Sequence, residues 1–154
     1  MTAPEEEPVL AGYTEADGFR GCAECLGQCL PKAAECGVTL AVENHWELTR
    51  TVEGMLKMAN SVRSPYFGLL MDPCHFLEDP YDQLKAIASK TVLVQAKDYP
   101  GGGEGYTLDL DYRRTAKILR EASDAGWDSL EMEGKEAADT AVSKSLRKLQ
   151  KAFD

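Results

Sequence analysis

From residue 38 onward the chain repeats one pattern four times: a short apolar run rich in β-branched residues, a polar loop, then a stretch whose apolar residues recur every three or four positions. The short runs, at 38–43, 66–72, 91–97 and 128–133, predict β-strands, and the longer stretches predict amphipathic helices over 52–62, 80–89, 111–125 and 137–153. Helix starts are marked by Thr51 with Glu53 close behind, by Asp79 before Pro80, and by Asp109 or Asp111, because a short side-chain oxygen can accept from the free amides of a first turn. Strands alternating with helices imply parallel pairing through right-handed crossovers, hence an α/β fold. Phe67-Gly68-Leu69-Leu70-Met71 and Val92-Leu93-Val94 are apolar without alternation, which predicts strands covered on both faces, in a sheet or a barrel.

Ahead of the repeats, 14–36 reads as a further helix, with Pro31 expected to kink or divide it and Gly37 to end it. Cys22, Cys25 and Cys29 recur in it at helical spacing together with Leu26, Leu30 and Ala33, which predicts that they are core residues. A Cys-x-x-Cys-x-x-x-Cys metal site is conceivable there, but no fourth ligand is evident. Residues 1–13, with three consecutive glutamates, two prolines and a glycine, read as a solvated, flexible tail. The low-complexity stretch Gly101-Gly102-Gly103-Glu104-Gly105 follows the third strand. Its glycines suit mobility or a close backbone approach to a ligand, and it lacks the Lys-Ser/Thr of a phosphate loop.

Composition narrows the function classes. The 154 residues suit a single domain, here 14–154, and 44% apolar with 28% charged residues is globular rather than disordered usage. A net charge of −9 with no basic stretch argues against nucleic acid as a partner. No apolar stretch approaches the ~20 residues that cross a bilayer, and the first residues are unlike a signal peptide, so the cytoplasm is the expected compartment. Five cysteines, an odd number, are unlike a paired disulfide framework.

The chemistry sits where the strands end. The four runs finish in Glu43-Asn44-His45, Asp72-Pro73-Cys74-His75, Gln95-Ala96-Lys97-Asp98 and Glu131-Met132-Glu133, groups that a buried strand would not choose for packing. In parallel β/α architectures the C-terminal strand ends converge on one mouth. Carboxylates meeting there would raise one another's pKa unless a cation neutralised them, so a divalent ion is the natural remedy. Oxygen-rich ligation favours Mn²⁺ or Mg²⁺, while histidines tilt the site toward Zn²⁺ or Co²⁺. Singly, each acid could be a helix cap or a partner of a lysine, His45 an exposed loop residue, His75 a hydrogen-bonded core histidine, and Lys97 with Asp98 a rim ion pair. Strand alternation puts Gln95 with Lys97, and Glu131 with Glu133, on one face and cannot choose within either pair.

Leu40-Ala41-Val42-Glu43-Asn44-His45, Met71-Asp72-Pro73-Cys74-His75-Phe76, Val94-Gln95-Ala96-Lys97-Asp98 and Ser129-Leu130-Glu131-Met132-Glu133-Gly134 together resemble the sugar phosphate isomerase/epimerase family with the xylose-isomerase-like TIM barrel. The likeness runs from about residue 20 to residue 152. It implies half of a (β/α)₈ barrel, with these segments as strands five to eight preceded by a helix. It also implies one divalent metal held by Glu43, Asp72, Gln95 and Glu131, catalysis by Glu43 and Glu131 as base and acid next to a carbonyl, and substrate contacts from His75, Lys97 and His45. A keto-sugar or sugar phosphate is the implied substrate.

Two departures stand out. Many relatives read His-x-Lys-Asp where this chain has Gln95-Ala96-Lys97-Asp98, and an amide can ligate only through its oxygen. Strands one to four have no counterpart, which leaves strand edges open and favours a homodimer or a partner chain that completes the barrel. A non-catalytic half-barrel that self-assembles or binds a small ligand is the alternative. An apurinic endonuclease, which the same barrel family includes, would need a multi-zinc cluster rich in histidine, and this chain has only His45 and His75.

Overall fold

A computed structural model describes residues 12–103, 110–122 and 126–154. Its elements run α1 (Glu15–Cys36), β1 (Leu40–Glu43), α2 (Val52–Ser61), β2 (Phe67–Met71), α3 (Pro80–Ile87), β3 (Thr91–Asp98), α4 (Tyr112–Glu121), β4 (Trp127–Met132) and α5 (Ala138–Phe153). The strands pair in parallel in the order β1-β2-β3-β4. The expected tail at 1–11, Asp109 and the expected end of the helix at 123–125 lie outside the described residues.

Local chemistry accounts for most boundaries. Thr14 and Asp17 form a reciprocal capping box on α1, Thr51 accepts from Gly54 N at 3.1 Å at the start of α2, and Asp111 accepts from Arg113 N at 2.9 Å at the start of α4. Gly37, left-handed at φ 66°, closes α1. One expectation fails here: Asp79 does not cap α3, its backbone being left-handed at φ 42° and its side chain making no capping bond. Pro31 lies inside α1, which continues through it as one helix, so of the two outcomes expected there division does not occur.

The hydrophobic core lies between the sheet and α2, α3 and α4, with Met55, Leu69, Met71, Leu84, Ile87 and Val94 wholly buried. A second cluster beneath α5 gathers Cys74, Ala96, Leu110, Tyr112 and Leu149. The register slips between Leu69 and Leu70, and Gly68 makes room at that bulge, since a Cβ there would stand 2.4 Å from Val92 Cγ1. The expectation that the apolar strands are covered on both faces is not met among the described residues. Helices cover one face, whereas on the other Ala41 is exposed and Leu70 and Leu93 are half-buried. That second face is the one a closed barrel turns inward.

Cys22, Cys25 and Cys29 also differ from expectation: all three are exposed, as is Cys36. At about 100° per residue they fall within about 60° of one another, on a stripe beside the one that packs. The packing stripe carries Phe19, Leu30 and Ala33.

Candidate functional site

The C-terminal strand ends bring Glu43, Asp72, Gln95, Lys97 and Glu131 to one mouth, and the loops after β1 and β2 add His45 and His75. Asn44 builds the floor. Its side chain is wholly buried and clamps the backbone where β2 ends, donating Nδ2 to Asp72 O at 2.8 Å and accepting from Asp72 N at 2.7 Å. The chain then curls through a 3₁₀ turn, Pro73–His75, in which Asp72 Oδ1 accepts from Cys74 N at 2.8 Å. The turn carries His75 back over the strand end, where its Nδ1 lies 2.9 Å from Asn44 O.

A carbonyl only accepts, so that contact puts the proton on His75 Nδ1 and leaves Nε2 as an acceptor. Lys97 Nζ donates to it at 3.0 Å. Burial, and then the Lys97 charge, push the imidazole below its ordinary pKa, so the ring is neutral at pH 7. Its contacts with Glu43 Oε1 and Asp72 Oδ2, both at 3.5 Å, are therefore not ion pairs.

Lys97 occupies the centre. Only 8% exposed, its Nζ lies 3.4 Å from Asp72 Oδ2 and 3.5 Å from both Glu131 Oε1 and Glu133 Oε1. Burial opposes its charge, yet Asp72, Glu131 and Glu133 together outweigh burial and hold the ammonium above the ordinary lysine range. Its main chain is pinned by Tyr112, whose hydroxyl donates to Lys97 O at 2.6 Å. Asp98 points the other way and pairs with Lys148 at 2.6 Å, so the rim pair of Lys97 with Asp98 does not form.

The acids differ in depth. Asp72 is wholly buried, and burial first, with Glu131 adding, raises its carboxyl to about 6 against the pull of the Cys74 amide and Lys97. Glu43 is also raised, chiefly by burial. Glu131 is the deeper of its pair, at 29% side-chain exposure against 45% for Glu133. Gln95 Nε2 donates to Glu131 Oε2; with the amide reversed, two oxygens would meet, so the bond fixes both side chains.

The donors suit a divalent cation in chemistry. Asp72 Oδ2 is buried without a hydrogen-bond partner, and an oxygen in that state calls for a positive charge. Among the described residues, Glu43, His45 and His75 bring three ligand atoms within 4.8 Å of one another. This trio overlaps the implied set of Glu43, Asp72, Gln95 and Glu131 only at Glu43. Asp72 Oδ2 and Glu131 Oε1 instead lie 3.4 and 3.5 Å from Lys97 Nζ.

Sequence reasoning passed over Asn44 and Trp46. The indole lies 5.5 Å from the His75 ring, and His45, though exposed, stands edge-on to both at 4.4 Å from His75 and 5.2 Å from Trp46. The three rings wall one side of the mouth. The backbone after β3 is tied to the loop that follows β4: Lys135 N donates to Gly102 O at 3.1 Å and Glu136 N to Pro100 O at 3.0 Å. Residues 104–109 of that loop lie outside the described residues. An open hollow of about 650 Å³ at the opposite, N-terminal strand ends is lined by Thr39, Ala41, Leu93 and Trp127 among others and has no titratable group in its lining. The titratable groups of the strand ends gather instead at the C-terminal mouth.

A family model described as xylose isomerase-like TIM barrel matches residues 4–152. The chain belongs to that family. Solved structures agree in fold. The 3-keto-D-glucoside 4-epimerase of E. coli superposes with a TM-score of 0.73 at 16% identity, covering 98% of this chain and 60% of that one. A D-tagatose 3-epimerase-like protein gives 0.71 at 17% identity, covering 95% and 59%. The D-psicose 3-epimerase of Clostridium cellulolyticum H10, solved with D-tagatose, gives 0.66 at 14%, covering 96% and 58%. This chain of the xylose isomerase-like family thus spans about 60% of the length of these structures, and its described residues form a partial barrel of four parallel strands and five α-helices. No curated protein matches it in sequence. No described helix is long and apolar enough to cross a membrane.

Proposed function

We propose that this partial barrel carries the proton-transfer site of a sugar isomerase or epimerase acting next to the carbonyl of a keto-sugar or sugar phosphate. The observation that supports it is the pair of carboxylates, Glu43 and Glu131, brought by the two outer strands to either side of the Lys97–His75–Asp72 centre. Glu43, its affinity for a proton raised by burial, takes the proton from the carbon beside the carbonyl. The C–H electron pair becomes the enediolate double bond and the carbonyl oxygen gains the charge. Glu131 serves as the acid on the other side: it returns a proton to the same carbon from the opposite face in an epimerisation, the carbonyl reforming at its own carbon, or to the neighbouring carbon in an isomerisation, where the hydroxyl proton of the first carbon passes to the charged oxygen and leaves the new carbonyl behind. Lys97 donates to the charged oxygen, and the His45–Trp46–His75 wall orients the sugar.

The residues that would hold a divalent ion are Glu43, Asp72, Gln95 and Glu131, with Mn²⁺ or Mg²⁺ favoured by the oxygen donors and Zn²⁺ or Co²⁺ by imidazole from His45 or His75. Such an ion, when bound, would polarise the carbonyl and adjacent hydroxyl oxygens and stabilise the enediolate charge. A second copy or a separate chain would cover the open strand face and the edges of β1 and β4, and sedimentation of the purified chain tests this by its mass.

The deciding experiment follows exchange of the carbon-bound proton of keto-sugars in D₂O by NMR, with Mn²⁺ or Mg²⁺ added. Glu43→Gln and Glu131→Gln should each slow exchange on the order of 100-fold or more. Unchanged exchange in Glu131→Gln refutes the mechanism. Binding of sugars without exchange would favour a ligand-binding half-barrel instead.

A further inference from the structure

On the β3–β4 side of the mouth, the chain supplies its own acceptors where an anion would sit. In closed β/α barrels the loops after the last two strands commonly cradle a phosphate, with backbone amides turned toward it, and β3 and β4 lead into those loops here. The amides after β4 are already taken: Glu133 N donates to Asp98 O at 3.1 Å, Gly134 N to Met132 Sδ at 3.3 Å, Lys135 N to Gly102 O at 3.1 Å and Glu136 N to Pro100 O at 3.0 Å. The two loops also pack too closely to leave a cradle, since a Cβ on Gly134 would stand 2.2 Å from Pro100 O. At the start of α5, Thr140 N donates to Asp139 Oδ1 at 2.8 Å, so the first turn faces a carboxylate of its own.

Charge points the same way. Between Lys97 and Arg113 the sequence has no lysine, arginine or histidine but has Asp98, Glu104, Asp109 and Asp111, and the single lysine of the loop after β4, Lys135, is bracketed by Glu133 and Glu136. Lys148 is held by Asp98 at 2.6 Å and Lys144 by Glu136 at 3.0 Å, Arg114 lies over the Tyr81 ring at 3.8 Å, and Lys97 is shared among Asp72, Glu131 and Glu133. Glu133 stands at the outlet: it lies two residues past Glu131 on the same strand face and is the more exposed of the two, at 45% against 29%. A sugar whose carbonyl lies between Glu43 and Glu131 passes this carboxylate where it runs outward along β4. We propose that Glu133 sets the substrate class of the site, turning away phosphorylated sugars and admitting uncharged ones, whose hydroxyls can donate to its carboxylate. The proposal rests on the proton-transfer reading above and narrows its substrate to the free keto-sugar. A phosphate group brings about two negative charges past Glu133, which should weaken binding at least about tenfold at the effective dielectric near a protein surface.

The test compares matched pairs of a free ketohexose and its 6-phosphate, with D-tagatose and D-fructose as the sugars, on the full chain with Mg²⁺ in phosphate-free buffer. Saturation-transfer NMR reads binding, and exchange of the carbon-bound proton in D₂O reads turnover. The wild type should bind each free sugar at least tenfold more tightly than its phosphate. Glu133→Lys should strengthen phosphate binding and lower that ratio at least tenfold, and Glu133→Gln should lower it in the same direction by less. Phosphates bound as tightly as the free sugars or more, with exchange proceeding, overturn the selectivity and leave the proton-transfer reading standing. A ratio unmoved in both variants, with folding verified by circular dichroism, overturns the role of Glu133. Should Glu133→Lys not fold, Glu133→Gln, which keeps the size of the side chain, decides alone. Neither binding nor exchange with any sugar or phosphate takes away the proton-transfer reading and the selectivity together.

Discussion

Replacing Asn44 by alanine should be among the most damaging single changes outside the apolar core, although Asn44 holds no charge and would touch no substrate. Its amide satisfies both polar groups of the Asp72 backbone, at 2.8 and 2.7 Å, and the residue is wholly buried. Alanine leaves the buried Asp72 N–H without a partner and takes from Asp72 O one of its two donors, the other being His75 N at 3.3 Å. Such an orphan costs about 1–3 kcal/mol, and a net loss of about 2 kcal/mol is expected. For a chain of this size that corresponds to roughly 4–8 °C in Tm. Urea unfolding followed by circular dichroism measures it as a fall in midpoint at unchanged slope. Asparagine to aspartate sharpens the reading: the acceptor for Asp72 N survives, but an oxygen now faces Asp72 O and a second carboxylate is buried beside Asp72. This variant should be at least as unstable as the alanine above pH 6. A loss below about 0.5 kcal/mol in the alanine variant would refute the claim that Asn44 is what holds the end of β2 against β1.

Gly68→Ala should cost about 1–3 kcal/mol by overpacking, because its Cβ would stand 2.4 Å from Val92 Cγ1; an unchanged urea midpoint would mean that Val92 yields freely. In the metal-free chain the Asp72 carboxyl, raised from 3.8 to about 6, makes the folded state bind more protons than the unfolded one between those pH values. Its contribution to stability is therefore full below pH 4 and is lost as the pH rises to about 6, a change of about 3 kcal/mol at most. Asp72→Asn should remove that part of the pH dependence, and parallel stability profiles for mutant and wild type between pH 4 and 7 would contradict it. Cys22, Cys25, Cys29 and Cys36 should react with a thiol reagent in the native protein, while Cys74, buried and with its thiol pushed up to about 11 by burial, should react only on unfolding. Rapid labelling of all five would show that the loop after β2 opens readily.

The fold was legible because its signals are periodic and local. Four apolar runs alternating with amphipathic helices permit few topologies, and Thr51 and Asp111 cap where short oxygen-bearing side chains should. What escaped depends on which of several equivalent surfaces finds a partner. The cysteines of α1 share a periodic stripe, but periodicity does not say whether that stripe or its neighbour packs, and Phe19, Leu30 and Ala33 took the contact. Asp79 precedes a proline at a helix start, yet its left-handed backbone keeps the carboxylate from the first-turn amides. At the site, the polar strand ends were plain, whereas the clamp by Asn44 and the wall formed by Trp46 were not. Each arises from contacts between segments far apart in sequence, Asn44 with Asp72 and Trp46 with His75.

The arrangement of the inward face supplies the site with its own charge compensation. Along β3 that face steps from Leu93 to Gln95 to Lys97, and along β4 from Ser129 to Glu131 to Glu133, so polarity rises toward the mouth on both strands. Lys97 and Glu131 are register partners, which puts the ammonium beside the carboxylate through backbone pairing alone, and the long lysine stem reaches on to Asp72 on the next strand. Three carboxylates gathered at a partly buried mouth would otherwise push one another apart and loosen the ends of β3 and β4. Charge compensation is thus written into the strand register and does not wait for an ion. This separates folding from metal loading: structural zinc domains need their ion to fold, whereas here the lysine already neutralises part of the cluster. Addition of a chelator should therefore leave the thermal transition of the chain in place, and a chain that unfolds on chelation would show that the register pair alone cannot hold the mouth together.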